Sequence, residues 1–481
     1  MPNKIEYKGK LVNDPVDHKL GTMPIGELLF KMSVPMMISM LMLALYNVVD
    51  SIFVSRISEA ALSALSLAFP VQTFMVALNI GTNVGVTALI SRSLGERNFE
   101  NANDYARHGL FIAIVYFIIF SIFGRLFTEP FFNMMTTDED IRREGIAYLS
   151  IITTWSIGFF VETTFEKIMQ ATGKTVGSMI IQLSGAIFNI IFDPILIFGL
   201  FGFPAMGTRG AAIATVAGQI FGAIVGYLLN KFINKDININ LIKFRVKGTS
   251  DEISGSDLVL DTSVLKINFD MIKKIYKIGI PSIVMQAIGS FMILGLNKIL
   301  IIYESAVAVL GIYYKIQSFI FMPLMGLNNG VVPIISYNYG AHNKKRIIHV
   351  IKTALTVGFV LMLTGTLVVF FGAPFILSLF NANEVMLETG TYALKIISTH
   401  FIFVNFNIIL SSVMQATKRE VYSLAGSIIR QIVILLPSAY ILSNLFGLKG
   451  VWFCFPISEF ISCLIVLILF KKTFTEEIMT L

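Results

Sequence analysis

The chain contains twelve predominantly apolar runs, each reaching the roughly 20 residues that a helix needs to cross a bilayer. Because lipid offers the backbone no hydrogen-bond partners, such runs must fold as helices that bond internally. Only 14% of the 481 residues are charged, which is too few to cover the surface of a soluble protein of this size. The sequence therefore predicts an all-α polytopic membrane protein with 12 transmembrane helices. The runs lie near 30–53, 62–88, 106–127, 146–168, 176–200, 210–230, 275–302, 307–334, 348–371, 391–414, 422–444 and 450–470.

The basic residues between these runs predict how the chain is oriented. Lysine and arginine concentrate in alternate loops and in both terminal segments, whereas the opposite loops are poorer in basic residues or acidic. Since positively charged loops stay in the cytoplasm, both termini are expected there, in the plasma (inner) membrane. This placement also explains the net charge of +7 without a nucleic-acid partner.

Two polar stretches and a short end segment divide the chain into five parts. The central stretch contains KGTSDEISGSD, a Gly-, Ser- and charge-rich composition typical of a flexible surface connector. The predicted parts are a cytoplasmic N-terminal tail (1–25), an N-lobe with spans one to six (26–230), a cytoplasmic linker (231–272), a C-lobe with spans seven to twelve (273–471) and a cytoplasmic tail (472–481).

The two lobes carry the same motifs in the same order. Met-Gln-Ala-Thr begins at Met169 and again at Met414, an offset of 414 − 169 = 245 residues. GTNVGVTALISRSLG at 81–95 and GLNNGVVPIISYNYG at 326–340 match in seven positions at the same offset. Six spans per copy give both copies the same membrane orientation, so they should be related by an axis along the bilayer normal, a transporter pattern.

The acidic residues within the spans mark the candidate site. Asp50 lies in the outer half of span one and Asp193 in the outer half of span five, so the two should lie at similar depth. Asn189 precedes Asp193 by four residues and shares its helix face. Pro194 follows and should free a backbone carbonyl. Two carboxylates in a partly dry pocket cannot both ionise cheaply, so the pair should take up a proton, or Na⁺ with help from amide and hydroxyl oxygens. The alternative is that each acid is solvated near the membrane surface.

Other polar residues and motifs do not form a comparable site. Glu162 in span four is a third candidate, although its neighbours suit a snorkelling surface residue as well. Gly173-Lys174-Thr175 resembles the end of a phosphate-binding loop, but that motif requires glycine where Ile168 stands. The sequence contains neither a His-Glu-x-x-His motif nor a Cys-pair metal site. We therefore expect no enzyme activity and no cofactor, and an ion gradient remains as the energy source.

These features together resemble the multidrug and toxic compound extrusion (MATE) family over about residues 25–470. The resemblance rests on the six-plus-six repeat, YNVVDSIFV in span one, GTNVGVTALISRSLGERN, and MQATGKT followed by NIIFDPILIFG. It implies two pseudo-symmetric six-helix lobes that form a V-shaped cleft. It also implies drug export in exchange for inward H⁺ or Na⁺.

The resemblance further assigns roles to individual residues. In one bacterial branch the N-lobe holds the cation site, which carries over to Asp50, Asn189, Asp193 and Thr215. Pro35 stands where that branch bends span one. Tyr46 and Asn47, about one turn before Asp50, and Glu162 are assigned to the substrate cavity. The branch with acids in spans seven and ten has no counterpart here.

The resulting hypothesis is secondary antiport of amphipathic organic cations by a monomer in the lipid bilayer. Uptake of H⁺ or Na⁺ at Asp50 and Asp193 would change the packing of span one at Pro35 and release the drug outside. The first alternative is a lipid-linked saccharide flippase of the same superfamily, in which Arg430 and Lys315 would face pyrophosphate. The second is a sensor or scaffold that keeps the fold without transport.

Overall fold

A computed structural model describes residues 4–7, 10–13, 18–238, 243–246, 258–261, 267–303, 305–380 and 384–481. The described chain is dominated by helices, with a 3₁₀ turn at Leu200–Gly202 and π-helical segments at Ile429–Leu435 and Phe474–Ile478. The α-helices are α1 (Lys19–Thr22), α2 (Ile25–Ser55), α3 (Glu59–Gly95), α4 (Phe99–Leu126), α5 (Thr128–Met135), α6 (Glu139–Thr154), α7 (Ile157–Ala171), α8 (Thr175–Phe198), α9 (Thr208–Phe232), α10 (Phe269–Leu300), α11 (Ala306–Gly340), α12 (Lys344–Ser378), α13 (Glu384–Ser398), α14 (Phe401–Ala416), α15 (Glu420–Ile428), α16 (Leu436–Val451) and α17 (Cys454–Thr473).

The predicted spans are confirmed as ten continuous helical spans and two bent pairs within the described ranges. The pair α6–α7 bends by 47° and the pair α13–α14 by 43°. Each pair is the fourth span of its half, so the bend is part of the repeat. With each pair taken as one span, the chain has the 12 predicted spans. Several helices extend past the apolar runs, because polar caps such as Ser58, Asn98 and Asn343 start them outside the runs.

Short elements outside the spans were not predicted from the sequence. Strands β1 (Lys4–Tyr7) and β2 (Lys10–Asn13) form an antiparallel hairpin in the N-terminal segment. Strands β3 (Lys243–Val246) and β4 (Leu258–Asp261) form another within the linker that composition predicts to be flexible. The second pair contains KFRV and LVLD, whose aromatic and branched residues favour strands locally although the linker as a whole is polar.

Glycines in the repeated motif let the lobes approach backbone to backbone. A Cβ on Gly95 would lie 2.0 Å from the carbonyl oxygen of Tyr337, and a Cβ on Gly340 would lie 2.2 Å from that of Arg92. The two positions are equivalent in the repeat, so each lobe supplies one glycine to the same crossing. Only glycine permits contact at these distances. We call the end of the molecule at this crossing the closed end.

The same arrangement continues toward the middle of the bundle. A Cβ on Gly81 of α3 would lie 2.6 Å from the amide nitrogen of Ile283 in α10, and one on Gly326 of α11 would lie 2.5 Å from the Cα of Met37 in α2. The second helix of each lobe therefore packs against the first helix of the other. The repeated glycines mark the surface along which the lobes meet.

Hydrogen bonds also join the lobes at the closed end. Arg92 Nη2 donates to the carbonyl oxygen of Ala416 at 2.7 Å. The carbonyl oxygen of Leu20, in α1, accepts from Asn338 Nδ2 at 2.9 Å and from Arg346 Nη2 at 3.2 Å. The segment before α2, which the sequence predicts as a tail, is thus attached to the C-lobe from His18 onward.

Candidate functional site

The interior of the N-lobe is built around the contact between α8 and α9. Gly185 of α8 and Gly218 of α9 face each other so closely that a Cβ on Gly218 would lie 2.8 Å from the carbonyl oxygen of Gly185. One turn beyond Gly185, Asn189 is placed against Thr215 of α9. The C-terminal half of α2 carries Asp50, and α2 packs against α8, which adds Asp50 to the group.

Four residues named from the sequence meet here. Asn189 Nδ2 donates to Asp193 Oδ1 at 3.3 Å and to Thr215 Oγ1 at 3.1 Å. The carboxyl groups of Asp50 and Asp193 interact directly. The side chains of Asn189 and Asp193 are almost entirely buried, at 2% and 0% exposed. The prediction that both acids lie at one depth agrees with this geometry, and solvation near the membrane surface does not describe Asp193.

Two oxygen atoms of this cluster accept no hydrogen bond from the described residues. They are Asn189 Oδ1 and Asp193 Oδ2, both buried. Buried acceptors are normally paired, so two unpaired acceptors in one cluster need an explanation. A proton shared between the carboxyl groups would satisfy Asp193 Oδ2, whereas a cation that binds oxygen ligands could satisfy both atoms. In the described part of the chain no three His, Cys, Asp or Glu side chains form a metal-binding group, which leaves the cluster as two carboxylates with amide and hydroxyl oxygens.

Two tyrosine side chains border the acids, and the sequence singled out only one of them. Tyr148 of α6 lies near Asp50 and Asp193, and its hydroxyl accepts a hydrogen bond from Gln72 Nε2 at 3.1 Å. Tyr46, which was predicted to line the cavity, lies against Thr215 and near the same acids. Tyr148 was missed because a single tyrosine in an apolar run carries no signal. The side chain of Asn47 lies outside the described residues.

Glu162 lies inside the N-lobe rather than at its lipid-facing surface. Its Oε1 would be 2.8 Å from a Cβ on Gly185 and 2.3 Å from one on Gly222. The two glycines therefore leave a space between α8 and α9 that the carboxylate fills. Glu162 is about one turn of α8 nearer the closed end than Asn189, so the structure does not bring it into the acidic cluster.

Pro35 lies within α2, and its missing N–H group leaves the carbonyl oxygen of Lys31 without its helical donor. Thr175 Oγ1 donates to that oxygen at 3.2 Å. Thr175 is the first residue of α8, the helix that carries Asn189 and Asp193. The proline of span one is thus joined by a single hydrogen bond to the helix of the acidic cluster.

Comparison with known proteins gives a consistent result over nearly the whole chain. The family model described as MatE matches twice, at residues 35–195 and 281–441, which start 281 − 35 = 246 residues apart. The two matches confirm the internal repeat and the resemblance stated above.

Individual relatives are more distant. A multidrug export protein, MepA, from Staphylococcus aureus strain MSSA476 is 29% identical over 456 residues, which is 93% of each chain. A FAD transporter from Shewanella oneidensis is 26% identical over 453 residues, covering 92% of this chain and 93% of the relative. The solved structure of an outward-facing multidrug resistance MATE family transporter of the MOP superfamily aligns with a TM-score of 0.84 at 24% identity. It covers 95% of this chain and 98% of its own, and it supports the fold of two repeated lobes.

Proposed function

Since this chain belongs to the MatE family, a family of membrane transporters and not of enzymes, we propose that it exports amphipathic organic cations in exchange for H⁺ or Na⁺. The observation that carries the proposal is the pair of orphaned acceptors, Asn189 Oδ1 and Asp193 Oδ2, beside Asp50. Multidrug export by MepA, at 29% identity, supports the substrate class.

The coupling ion is bound by Asp50, Asn189, Asp193 and Thr215. A proton would bridge the two carboxyl groups, whereas Na⁺ would use the amide and hydroxyl oxygens as well. Either ion removes the repulsion between the carboxylates and lowers the negative charge of the site. An organic cation held near Tyr46 and the acids then loses its electrostatic attraction and leaves.

Pro35 is the point at which α2 responds to ion uptake. The proline leaves α2 with one intrahelical hydrogen bond fewer, so the helix bends there at lower cost than elsewhere. Its substitute contact with Thr175 links the bend to α8. Ion and drug must favour different states of this hinge, because a ligand that binds both states equally shifts nothing. Tyr46, Asn47 and Glu162 are assigned to the cavity that the drug enters.

The closed end faces the cytoplasm in this proposal, with both termini on the same side. It carries Lys344, Lys345 and Arg346 at the start of α12, and Arg92 and Arg97 at the end of α3. Positive charge of this density is retained on the inner side of a plasma membrane. The acidic cluster then lies toward the outside, where the driving ion enters. During transport the N-lobe (26–230) and the C-lobe (273–471) move relative to each other at the glycine crossing, so that the cleft opens to each side of the membrane in turn.

A lipid-linked saccharide flippase would need several cationic groups free to meet pyrophosphate. Arg430 is paired with Glu459, and Lys315 lies 5.7 Å from the ring centre of Phe380. The cluster with unsatisfied oxygens is acidic instead. The contacts therefore favour a cationic substrate over a pyrophosphate-linked one.

The decisive experiment measures ethidium transport by the purified protein in liposomes, under separately imposed pH and Na⁺ gradients. Wild type is compared with Asp193→Asn, which keeps the shape of the side chain and removes its charge. Glu129→Gln is the matched control, because Glu129 is an exposed carboxylate outside the cluster. We expect transport under one gradient, its loss in Asp193→Asn, and no change in Glu129→Gln.

The gradient that drives ethidium transport, of H⁺ or of Na⁺, identifies the coupling ion. The proposal is wrong if wild type moves ethidium equally fast without any gradient, or if Asp193→Asn retains full gradient dependence. Circular dichroism and size-exclusion chromatography of each variant separate a loss of transport from a loss of folding.

A further inference from the structure

A second polar cavity lies inside the C-lobe, away from the acidic cluster. It encloses about 250 Å³, and Ile80 and Val84 of α3 are the N-lobe residues that line it. Much of the lining is amide and hydroxyl, including Asn328, Asn407, Ser412, Gln415 and Gln431. Of the described residues that line the cavity, only Arg430 carries a charge. The site is therefore opposite in character to the N-lobe cluster.

Arg430 is held in place by an acid that lies outside the cavity lining. Its Nη1 donates to Glu459 Oε1 at 3.1 Å, and Asn407 Nδ2 donates to Glu459 Oε2 at 2.5 Å. The side chains of Arg430 and Glu459 are 23% and 10% exposed. A guanidinium group has five N–H donors, and this contact uses one terminal nitrogen. Arg430 Nε is buried and donates to none of the described residues, so the guanidinium has donor capacity left for a ligand.

The backbone around Arg430 is also unusual. Arg430 and Gln431 belong to the π-helical segment Ile429–Leu435, and both line the cavity. Such segments are rare in proteins and recur at functional sites. Ser458 Oγ donates to the carbonyl oxygen of Arg430 at 2.6 Å, so α17 supports the segment at this residue. An arginine that served only to pair with Glu459 would not need a cavity beside it.

The polar groups of the lining are incompletely satisfied within the chain. Asn328 Oδ1 is buried and accepts no hydrogen bond from the described residues. Gln415 Nε2 instead donates to Ser423 Oγ at 2.8 Å, the same contact that Gln170 makes with Ser178 in the N-lobe. Gln415 is thus a structural part of the repeat, whereas Arg430 can donate to a ligand and Asn328 Oδ1 can accept from one.

We propose that this C-lobe cavity binds a carboxylate group of a zwitterionic or anionic solute through Arg430. Arginine matches the planar carboxylate geometrically, and neighbouring amide and hydroxyl groups can bind the ligand's remaining oxygens. One arginine that already pairs with Glu459 suits a single negative charge and not a pyrophosphate. The inference deepens the proposed function and rests on it for the direction of transport, but the binding itself can be tested alone.

The test uses rhodamine B, which is zwitterionic through one carboxylate, and its methyl ester, which lacks that charge and is otherwise alike. Fluorescence anisotropy measures binding of each to the purified protein in lipid nanodiscs. In Arg430→Gln we expect the affinity for rhodamine B to fall about tenfold or more, as for loss of a charge-assisted hydrogen bond, with the ester unchanged. Lys315→Gln is the matched control, because Lys315 is a C-lobe cation outside the cavity and should leave both affinities unchanged.

A second variant tests whether the loss of binding comes from misfolding and not from the loss of the arginine. Arg430→Gln leaves Glu459 without its cation, whereas the double variant Arg430→Gln/Glu459→Gln is neutral and keeps hydrogen-bonding groups at both positions. It should show the same selective loss of rhodamine B. The inference is overturned if wild type does not bind rhodamine B, or if either variant weakens both dyes equally or neither. If rhodamine B binding depends on Arg430 but ethidium is transported under neither gradient, the proposed function fails and the carboxylate site stands.

Discussion

Arg92 and Ala416 form a hydrogen bond across the two lobes, from Nη2 to the carbonyl oxygen at 2.7 Å. The equivalent carbonyl in the N-lobe, that of Ala171, accepts instead from Ser91 of its own lobe at 2.8 Å. Ser336 is the repeat equivalent of Ser91, and its buried hydroxyl has no hydrogen-bond partner among the described residues. Two copies of one motif therefore serve different purposes: one holds a lobe together and the other joins the lobes.

This asymmetry predicts that Arg92→Gln weakens the closed end specifically. A hydrogen bond from a charged donor contributes about 1.5–3 kcal/mol, so the population with separated ends should rise about tenfold or more. Electron paramagnetic resonance distances between labels at Arg97→Cys and Lys345→Cys, one on each lobe, would detect the longer component. Arg56→Gln is a control, since Arg56 is an exposed cation at the other end of α2. An unchanged distance distribution in Arg92→Gln would refute the prediction.

The glycine crossing predicts a steric effect at the same place. Gly340→Ala would put a methyl group 2.2 Å from the carbonyl oxygen of Arg92, so the backbones must separate. We expect destabilisation of about 1–3 kcal/mol, as for an overpacked contact, and a lower midpoint of thermal unfolding. Gly311→Ala on the same helix has no atom within 4 Å and should stabilise α11 by up to about 1 kcal/mol, because alanine favours helix. Equal midpoints for the two variants would contradict the packing described here.

Acid should release the segment that precedes α2. His18 stacks on Tyr337 with ring centres 5.0 Å apart, and burial lowers the pKa of its imidazole from 6.5 to about 4, despite the nearby Asp236. The released histidine binds a proton below about pH 6.5, whereas the docked one does not until about pH 4. The free energy of docking is therefore independent of pH above about 6.5. It becomes less favourable as the pH falls from about 6.5 to about 4, by about 3 kcal/mol in total.

Hydrogen exchange of the Leu20 and Gly21 amides, corrected for intrinsic rates, would measure this effect. Protection at pH 5 should be lower than at pH 7.5 in wild type. His18→Asn, which cannot titrate in this range, should lose the difference, whereas His342→Asn at an exposed histidine should keep it. Protection that stays constant with pH in wild type would show that His18 does not control docking.

Much of this architecture follows from sequence patterns, since the spans, the repeat and the shared face of Asn189 and Asp193 depend on local spacing. Asp50 was placed near Asp193 by counting from one side of the membrane, and the structure brings the two together. Their role in ion coupling stays a prediction. The contact of Tyr148 with Gln72 could not be predicted from the sequence, because it depends on how separate helices pack. The different hydrogen-bond donors to the carbonyl oxygens of Ala171 and Ala416 could not be predicted, because the two copies have the same residues at these positions.

The acidic cluster predicts how its amide contributes to ion binding. Asn189→Leu keeps the size of the side chain but removes both hydrogen bonds that it donates, to Asp193 and to Thr215. Loss of the Asn189 Oδ1 ligand, at about 1–3 kcal/mol, should raise the Na⁺ concentration for half-maximal transport about tenfold or more. For a proton the expected change is opposite, because loss of the donor to Asp193 favours the neutral carboxyl group and should lower the proton concentration needed. Thr215→Val removes only one of these bonds and should have a smaller effect. An unchanged ion requirement in Asn189→Leu would place the ion elsewhere.

The bond between Thr175 and the carbonyl oxygen of Lys31 predicts a dependence on Pro35 that a double-mutant cycle can isolate. In the presence of the proline, Thr175→Val leaves that oxygen without a donor and should lower the free energy of unfolding by about 1 kcal/mol. Pro35→Ala restores an N–H group that can bond to the same oxygen within α2. In that background Thr175→Val should therefore cost much less, and the difference is the coupling energy.

Unfolding by sodium dodecyl sulfate in mixed micelles would supply the four free energies of this cycle. Val176→Ala, at the next and exposed residue of α8, is a control that should show no coupling to Pro35. If Thr175→Val costs the same with and without the proline, the hydrogen bond does not substitute for the missing helical one. The hinge would then act without help from α8, and ion uptake at Asp193 would have to reach α2 through Asp50 alone.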